Sequence, residues 1–179
     1  MGYTVFSDGN IRVHSIYHGD GKLPQLPIFA LLFKIPAEYD QLEWYAMGPD
    51  ENYSDRSSGA RLGIFKNNVL ENVSGYVKPQ ESGNRTGVRG VNITNTNGKG
   101  IKISSCVRPF ECTISPYTAF ELEHASHHYE LPNVHYTVVT VAGRQMGVGG
   151  DDSWGAPVHD EHLINAGKDM EFEFMIQRI

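Results

Sequence analysis

Cysteine, basic charge and long apolar runs are all scarce in this chain of 179 residues. Its two cysteines, Cys106 and Cys112, are too few for a disulfide framework, which predicts free thiols and a bacterial cytoplasmic setting. Lysine and arginine number 15 against 21 acidic residues, and the net charge of -6 argues against nucleic acid as a partner. No apolar run approaches the roughly 20 residues of a membrane-spanning helix, and residues 1–20 lack the apolar core of a secretion signal. These absences predict a protein whose partners are neither nucleic acid nor membrane.

Helical periodicity is also scarce, whereas short apolar runs and alternating runs are frequent and are separated by Gly, Asn and Asp turn residues. Two stretches could form short helices: residues 55–65, which two glycines interrupt, and residues 117–125, which follow a Ser-Pro pair. The segments predicted as strands are 4–6, 10–17, 28–35, 42–47, 87–93, 101–107, 111–115, 136–143 and 170–179. The pattern predicts an all-β sandwich with at most one or two short helices, in which residues 1–179 form a single domain.

Histidines and carboxylates supply residue types for catalysis but no diagnostic spacing. His124 and His128 are four residues apart, so on a helix they would share a face that can hold zinc, although no metalloprotease pattern surrounds them. Surface or strand-end histidines are the alternative interpretation. Acidic candidates for glycoside chemistry, which needs two carboxylates across one bond, are present by type only: Glu111, Glu121, Glu123, Asp151 and Asp152. Their spacing assigns no catalytic pair, and the histidine spacing assigns no metal site.

A glycine-rich segment, residues 146–158, contains Trp154. Its glycines resemble a phosphate loop, but no Lys-Ser/Thr pair and no helix pattern follow them, which argues against phosphate binding. A tryptophan in such a loop can be a packing anchor. Alternatively, it can present a flat apolar face on which the C–H face of a hexose stacks. The residues alone leave both interpretations open.

A second dense cluster covers residues 44–56. Glu51, Asp55 and Arg56 can pair their charges there, and Tyr45 and Tyr53 add hydroxyl groups. The simplest interpretation is a structural loop that its own ion pairs close.

Both clusters resemble a known family. Residues 44–56, WYAMGPDENYSDR, are similar to the W-x-G-x-G-P-x-E-N-Y-x-D-R signature of the small-chain domain of bacterial β-galactosidases in glycoside hydrolase family two. Residues 147–154, GVGGDDSW, are similar to that domain's G-x-G-G-D-D-S-W signature. Weaker matches lie between them at residues 76–85, 87–89 and 123–128, and the motifs together cover residues 10–179 in the family's order. One departure is Ala46, where a glycine is common.

The resemblance implies a supersandwich similar to the fold of galactose mutarotases. It implies that the chain is the later part of the final domain of a β-galactosidase, which in some lactic acid bacteria lies on a separate small subunit. The family's catalytic glutamates and its Mg and Na sites lie on a TIM barrel, which needs about 250 residues and is absent here. The resemblance therefore implies no catalytic residue and no cofactor in this chain, an inactive isolated chain, and a catalytic barrel portion or large subunit as its partner.

For the site, the resemblance implies that Trp154 forms a platform for the sugar of a β-galactoside such as lactose, during retaining hydrolysis by carboxylates supplied elsewhere. It implies that Asp151, Asp152 and Ser153 hold the loop of Trp154 in shape. His127 and Glu81 match motif positions to which no catalytic role is assigned. Two alternatives stay open: an independent carbohydrate-binding sandwich module, and an aldose epimerase of the mutarotase-like fold that uses a His and a Glu.

Overall fold

A computed structural model describes residues 1–152 and 154–179 of the chain. The described residues form eleven strands and one short α-helix. The strands are β1 (Gly2–Val5), β2 (Ile11–Tyr17), β3 (Ile28–Pro36), β4 (Gln41–Gly48), β5 (Arg61–Asn68), β6 (Arg85–Val88), β7 (Gly90–Thr94), β8 (Gly100–Ser105), β9 (Phe110–Ser115), β10 (Tyr136–Gln145) and β11 (Met170–Arg178). The α-helix is α1 (Ala119–His124), and short 3-10 helices cover Val69–Asn72, His128–Glu130 and Asp160–His162.

The strands build two antiparallel sheets. The larger sheet has the order β1-β2-β11-β8-β7-β4-β5, and the smaller one has the order β3-β10-β9-β6. Alternating residues of both sheets point into one shared apolar core, as packed sheet faces require. That core contains Val13, Trp44, Ile93, Ile103 and Phe174 from the larger sheet, and Val88, Cys112, Ile114, Val139 and Val141 from the smaller one. The prediction of an all-β sandwich with at most one or two short helices is confirmed.

Most of the predicted strands are present, with ends shifted by no more than two residues. The helix predicted at residues 117–125 is also present, because Thr118 and Glu121 form a reciprocal capping box at its start. The cysteines are free, with Cys112 buried in the core and Cys106 exposed. None of the helices formed by the described residues has the length and hydropathy needed to span a bilayer.

Two predictions about local structure are wrong. Residues 55–65 do not form a helix: residues 61–68 are strand β5, where Phe65 pairs with Trp44 across the sheet and Gly63 lies against the Phe65 ring. Residues 87–93 are not one strand, because the chain leaves the smaller sheet after Val88 and enters the larger sheet at Gly90. Gly87 has a φ of +59°, which glycine adopts without strain, so it lets the backbone turn before that crossing.

Candidate functional site

The two sequence clusters meet at one end of the sandwich. The first cluster runs from β4 into a loop of residues 49–60, here called the 49–60 loop, and the second lies in a segment of residues 146–159, here called the Trp154 loop. Asp55 Oδ2 accepts the N–H of Gly149 at 2.8 Å. Ser54 Oγ lies 3.1 Å from Nδ1 of His162, and the backbone N–H of Gly147 donates to the His162 carbonyl at 3.0 Å. Contacts between residues about a hundred positions apart in sequence therefore anchor the Trp154 loop on the 49–60 loop.

The 49–60 loop is closed by its own ion pair, as the simplest interpretation of its sequence predicts. Arg56 pairs with Glu51, and the Tyr76 hydroxyl donates to the same Glu51 carboxylate at 2.8 Å. The other Glu51 oxygen accepts the Gly83 N–H at 2.6 Å. Burial raises the pKa of Glu51, but the N–H of Gly83, the Tyr76 hydroxyl and the Arg56 charge outweigh it, so the net pKa is lowered. Glu51 is therefore ionised at neutral pH and holds this loop together.

An asparagine network beneath the loop was not predicted from the sequence. Asn52 is buried; its amide donates to the carbonyls of Met47 and Asp50, each at 3.0 Å, and its oxygen accepts the Thr86 N–H at 2.9 Å. The buried Asn84 amide in turn donates to the Asn52 carbonyl at 3.0 Å and to Glu111 at 2.9 Å. The two amides thus satisfy backbone groups of β4, β6 and the 49–60 loop, as buried polar groups require. No spacing in the sequence signals this network.

Glu111 links the network to the start of the Trp154 loop. Its carboxylate accepts the N–H of Gln145, the last residue of β10, at 3.1 Å. Burial raises the pKa of Glu111, and the hydrogen bonds from Asn84 and Gln145 oppose this only in part. The structure thus places this carboxylate, a candidate for glycoside chemistry by type, in a structural position between two strands and a loop.

The raised pKa of Glu111 predicts a pH-dependent stability. The folded chain binds the Glu111 proton more tightly than the unfolded chain, so this group's contribution to the free energy of unfolding falls as pH rises from about 4 through the raised pKa. A Glu111→Gln variant lacks this titration, so its stability relative to the unmodified chain should rise over the same range. Parallel urea titrations between about pH 4 and 7 measure the difference. An equal pH dependence of Glu111→Gln and the exposed control Glu123→Gln would contradict it.

Trp154 projects from its loop with 92% of its surface exposed, whereas Trp44, the other tryptophan, is buried in the core. Asp152 Oδ1 accepts the backbone N–H of Trp154 at 2.8 Å and that of Ala156 at 3.1 Å. These N–H groups lower the pKa of Asp152, so the carboxylate is ionised when it bonds to them. Asp152 therefore ties the backbone on both sides of the exposed indole.

The flanks of the Trp154 loop are joined by a second acid. Asp151 Oδ1 lies 2.8 Å from Nε2 of His159, and this contact raises the pKa of the His159 imidazole. Close backbone packing adds to the constraint: a Cβ on Gly150 would lie 2.8 Å from the Pro157 carbonyl oxygen. Ser153, named with Asp151 and Asp152 as loop support, lies outside the described residues. The supporting role of these side chains stays a prediction.

The histidine-rich segment does not bring His124 and His128 together as a zinc-type pair. His124 ends α1 and its Nδ1 lies 2.9 Å from the Phe120 carbonyl, whereas His128 Nε2 lies 2.6 Å from the Tyr76 carbonyl. His127 pairs with Glu130 at 3.1 Å, and Glu81 is exposed. Glu121 caps α1, and Glu123 is exposed. Among residues 1–152 and 154–179, no three His, Cys, Asp or Glu side chains are grouped so that they could hold a metal ion.

Comparisons with known proteins agree on one family. A family profile described as "Beta galactosidase small chain" matches residues 1–176. A β-galactosidase of Halalkalibacterium halodurans is 66% identical over 100% of this chain, which is 18% of that protein. A β-galactosidase of Priestia megaterium is 39% identical over 98% of the chain and 17% of its own length. A β-galactosidase small subunit of Latilactobacillus sakei is 37% identical over 98% of the chain and 58% of its own length.

The chain thus spans less than a fifth of the long relatives and little more than half of the small subunit. The family match extends over nearly all of its residues and includes both the 49–60 loop and the Trp154 loop. The resemblance inferred from the motifs is confirmed: the chain belongs to the β-galactosidase small chain family.

Proposed function

We propose that this chain completes the sugar-binding site of a β-galactosidase and supplies Trp154 as the platform for the sugar. One observation carries this proposal: Trp154 is 92% exposed while the backbone on both sides of it is tied to Asp152. An unsupported exposed tryptophan would be free to turn its apolar face away from a ligand. A ring on a constrained loop can instead offer a flat surface to the C–H face of a hexose.

The proposed chemistry is retaining hydrolysis of terminal β-galactosides such as lactose, with both catalytic carboxylates supplied by another part of the enzyme. In this chain Glu111 is occupied in the asparagine network, Glu121 in the helix cap and Asp152 in the Trp154 loop. We therefore expect the isolated chain to be inactive. In the assembled enzyme the chain contributes binding and orientation of the substrate. Such contacts lower the activation barrier only where they strengthen in the transition state.

The catalytic partner is proposed to be a TIM-barrel portion, either on the same long chain or on a large subunit. Relatives of both kinds support this, because their names are "Beta-galactosidase" and "Beta-galactosidase small subunit" and the chain covers only part of each. Mg and Na are assigned to that catalytic portion, and the bacterial cytoplasm remains the proposed setting.

The outer face of the larger sheet supports a partner as well. At its β4–β5 edge, Tyr45 lies opposite Ile64 and Met47 lies opposite Leu62. Tyr45, Ile64 and Leu62 are 45%, 70% and 43% exposed, so adjacent apolar side chains share one surface. Contiguous exposed apolar surface of this kind marks interaction sites in many proteins.

The test is hydrolysis of nitrophenyl-β-galactoside by the chain alone, by the catalytic portion of the same enzyme alone, and by their mixture. We expect activity only in the mixture, and weaker activity when the chain carries Trp154→Ala. Activity of the chain alone would contradict the proposal. Anomer interconversion by the chain alone, lost on His127→Ala, would establish the epimerase instead. Sugar binding by the chain alone, with no activity in the mixture, would establish an independent binding module.

A further inference from the structure

Asp55 is the side chain that connects the 49–60 loop to the Trp154 loop, through its bond to the Gly149 N–H at 2.8 Å. We propose that Asp55 is a positioning residue for Trp154: its carboxylate sets the position of the indole and, through it, the affinity of the assembled enzyme for its sugar. This inference rests on the proposed function of Trp154 and adds a residue that is 94 positions distant from Gly149 in sequence.

The Trp154 loop is shaped to receive this carboxylate. A Cβ on Gly147 would lie 2.8 Å from Asp55 Cγ and 2.8 Å from His162 Cβ, so only a glycine lets both side chains approach. Gly149 leaves room as well, since a Cβ there would meet Asp55 Oδ2 at 3.9 Å. Ser54, the neighbour of Asp55, contacts His162 just beyond the loop at 3.1 Å. Adjacent residues of the 49–60 loop therefore contact the first part of the Trp154 loop and His162, three residues beyond its end.

Asp55 is available for this contact because its neighbours have other partners. The sequence alone allows an ion pair between Asp55 and Arg56, but Arg56 binds Glu51 and donates to the Tyr76 hydroxyl at 3.0 Å. Tyr53 and Arg56 form a tight turn, in which the Arg56 N–H donates to the Tyr53 carbonyl at 2.9 Å and the Tyr53 N–H donates to the Arg56 carbonyl at 3.2 Å. The turn holds the Asp55 backbone, and Glu51 neutralises the adjacent guanidinium.

Asp55 is half-buried, and the incomplete pairing of its carboxylate argues against a role in stability alone. Its Oδ1 atom is buried and receives no hydrogen bond from the part of the chain that the structure describes. A carboxylate oxygen that is buried without a partner opposes folding, because its desolvation is incompletely offset. A charge-assisted bond to a single loop amide is nevertheless short and directional, which suits the fixing of a loop. The residue thus orients the Trp154 loop at some expense of stability.

The test uses the intact β-galactosidase that contains this chain, with nitrophenyl-β-galactoside as the probe. Loss of the charge-assisted bond in Asp55→Ala should raise KM about tenfold and leave kcat nearly unchanged. Asp55→Asn keeps an acceptor for the Gly149 N–H and should restore most of the affinity. Asp50→Ala, which changes an exposed acid of the same loop, is the matched control and should leave KM unchanged. If the Asp55→Ala enzyme does not assemble, Asp55→Ser replaces it. The serine hydroxyl is attached one bond closer to the backbone than the aspartate oxygen, so it is too short to reach the Gly149 N–H.

The decisive measurement places the same substitution in a Trp154→Ala background. If Asp55 acts through Trp154, Asp55→Ala adds no further rise in KM there, because the group that it positions is already absent. A tenfold rise in both backgrounds would show a general structural role and overturn the inference. A large effect of Trp154→Ala with none of Asp55→Ala would overturn the inference and leave the proposed function standing. No effect of Trp154→Ala would overturn both.

Discussion

Trp154→Ala in the intact enzyme should lower kcat/KM for lactose about thirtyfold, mainly through KM. The physical reason is the loss of an exposed aromatic face that stacks on the sugar, worth about 2 kcal/mol, which is about thirtyfold in rate. Because the proposed function places the catalytic carboxylates on another part of the enzyme, the substitution should leave kcat comparatively unchanged. Steady-state kinetics with lactose and with nitrophenyl-β-galactoside measure the two parameters separately.

Two further variants make this prediction specific. Trp154→Phe keeps a flat apolar ring and should recover much of the lost affinity. Phe120→Ala removes an aromatic side chain that is 68% exposed on α1, outside the Trp154 loop, and should leave KM unchanged. A similar loss in Phe120→Ala, or a loss confined to kcat in Trp154→Ala, would contradict a sugar platform at Trp154.

Gly150→Ala should have the second largest effect, about tenfold in kcat/KM, because it moves the Trp154 loop without changing Trp154 itself. A Cβ at position 150 would lie 2.7 Å from the Ala156 carbonyl carbon and 2.8 Å from the Pro157 oxygen, both of which are backbone atoms. Backbone cannot yield as a flexible side chain does, so the two flanks of the loop must separate. Kinetics of the intact enzyme measure the expected rise in KM.

Gly149→Ala is the matched control for this prediction. A Cβ at position 149 would meet Asp55 Oδ2 at 3.9 Å, an ordinary contact, and the N–H that Asp55 accepts is retained. Neither Gly149 nor Gly150 has a positive φ, so the backbone accepts alanine at both positions. The two variants therefore differ only in the close contact that a Cβ at position 150 makes with the backbone of residues 156 and 157. Equal kinetics of Gly149→Ala and Gly150→Ala would contradict the prediction.

Short-range patterns account for the parts of the fold that were predicted correctly. Alternating apolar residues and Gly/Asn/Asp turns indicate most strands, and the residues around Thr118 indicate the start of α1. The same patterns fail at β5 and at residues 85–94. There, the pairing of Phe65 with Trp44 and the passage from one sheet to the other decide the local conformation. Tertiary packing overrides local preference at such places.

The candidate site likewise combines features that local sequence predicts with contacts that only the tertiary structure decides. The sequence identifies both motif segments, the glycine-rich loop around Trp154 and the ion pair at Arg56 as features of interest. It also offers Asp55 as a possible ion-pair partner of Arg56 and Glu111 as a carboxylate for catalysis. The structure gives both side chains other partners: Gly149 for Asp55, and Asn84 with Gln145 for Glu111.

The sequence by itself determined the family, the all-β class and the motif segments, because alternation, turn chemistry and signature spacing are properties of neighbouring residues. Only the tertiary structure decided which side chains meet at the Trp154 loop. The Asp55–Gly149 bond and the Glu111 contacts join residues that the order of strands in two packed sheets brings together. Hydrogen bonds between such distant residues depend on that strand order, and local spacing along the chain does not encode it.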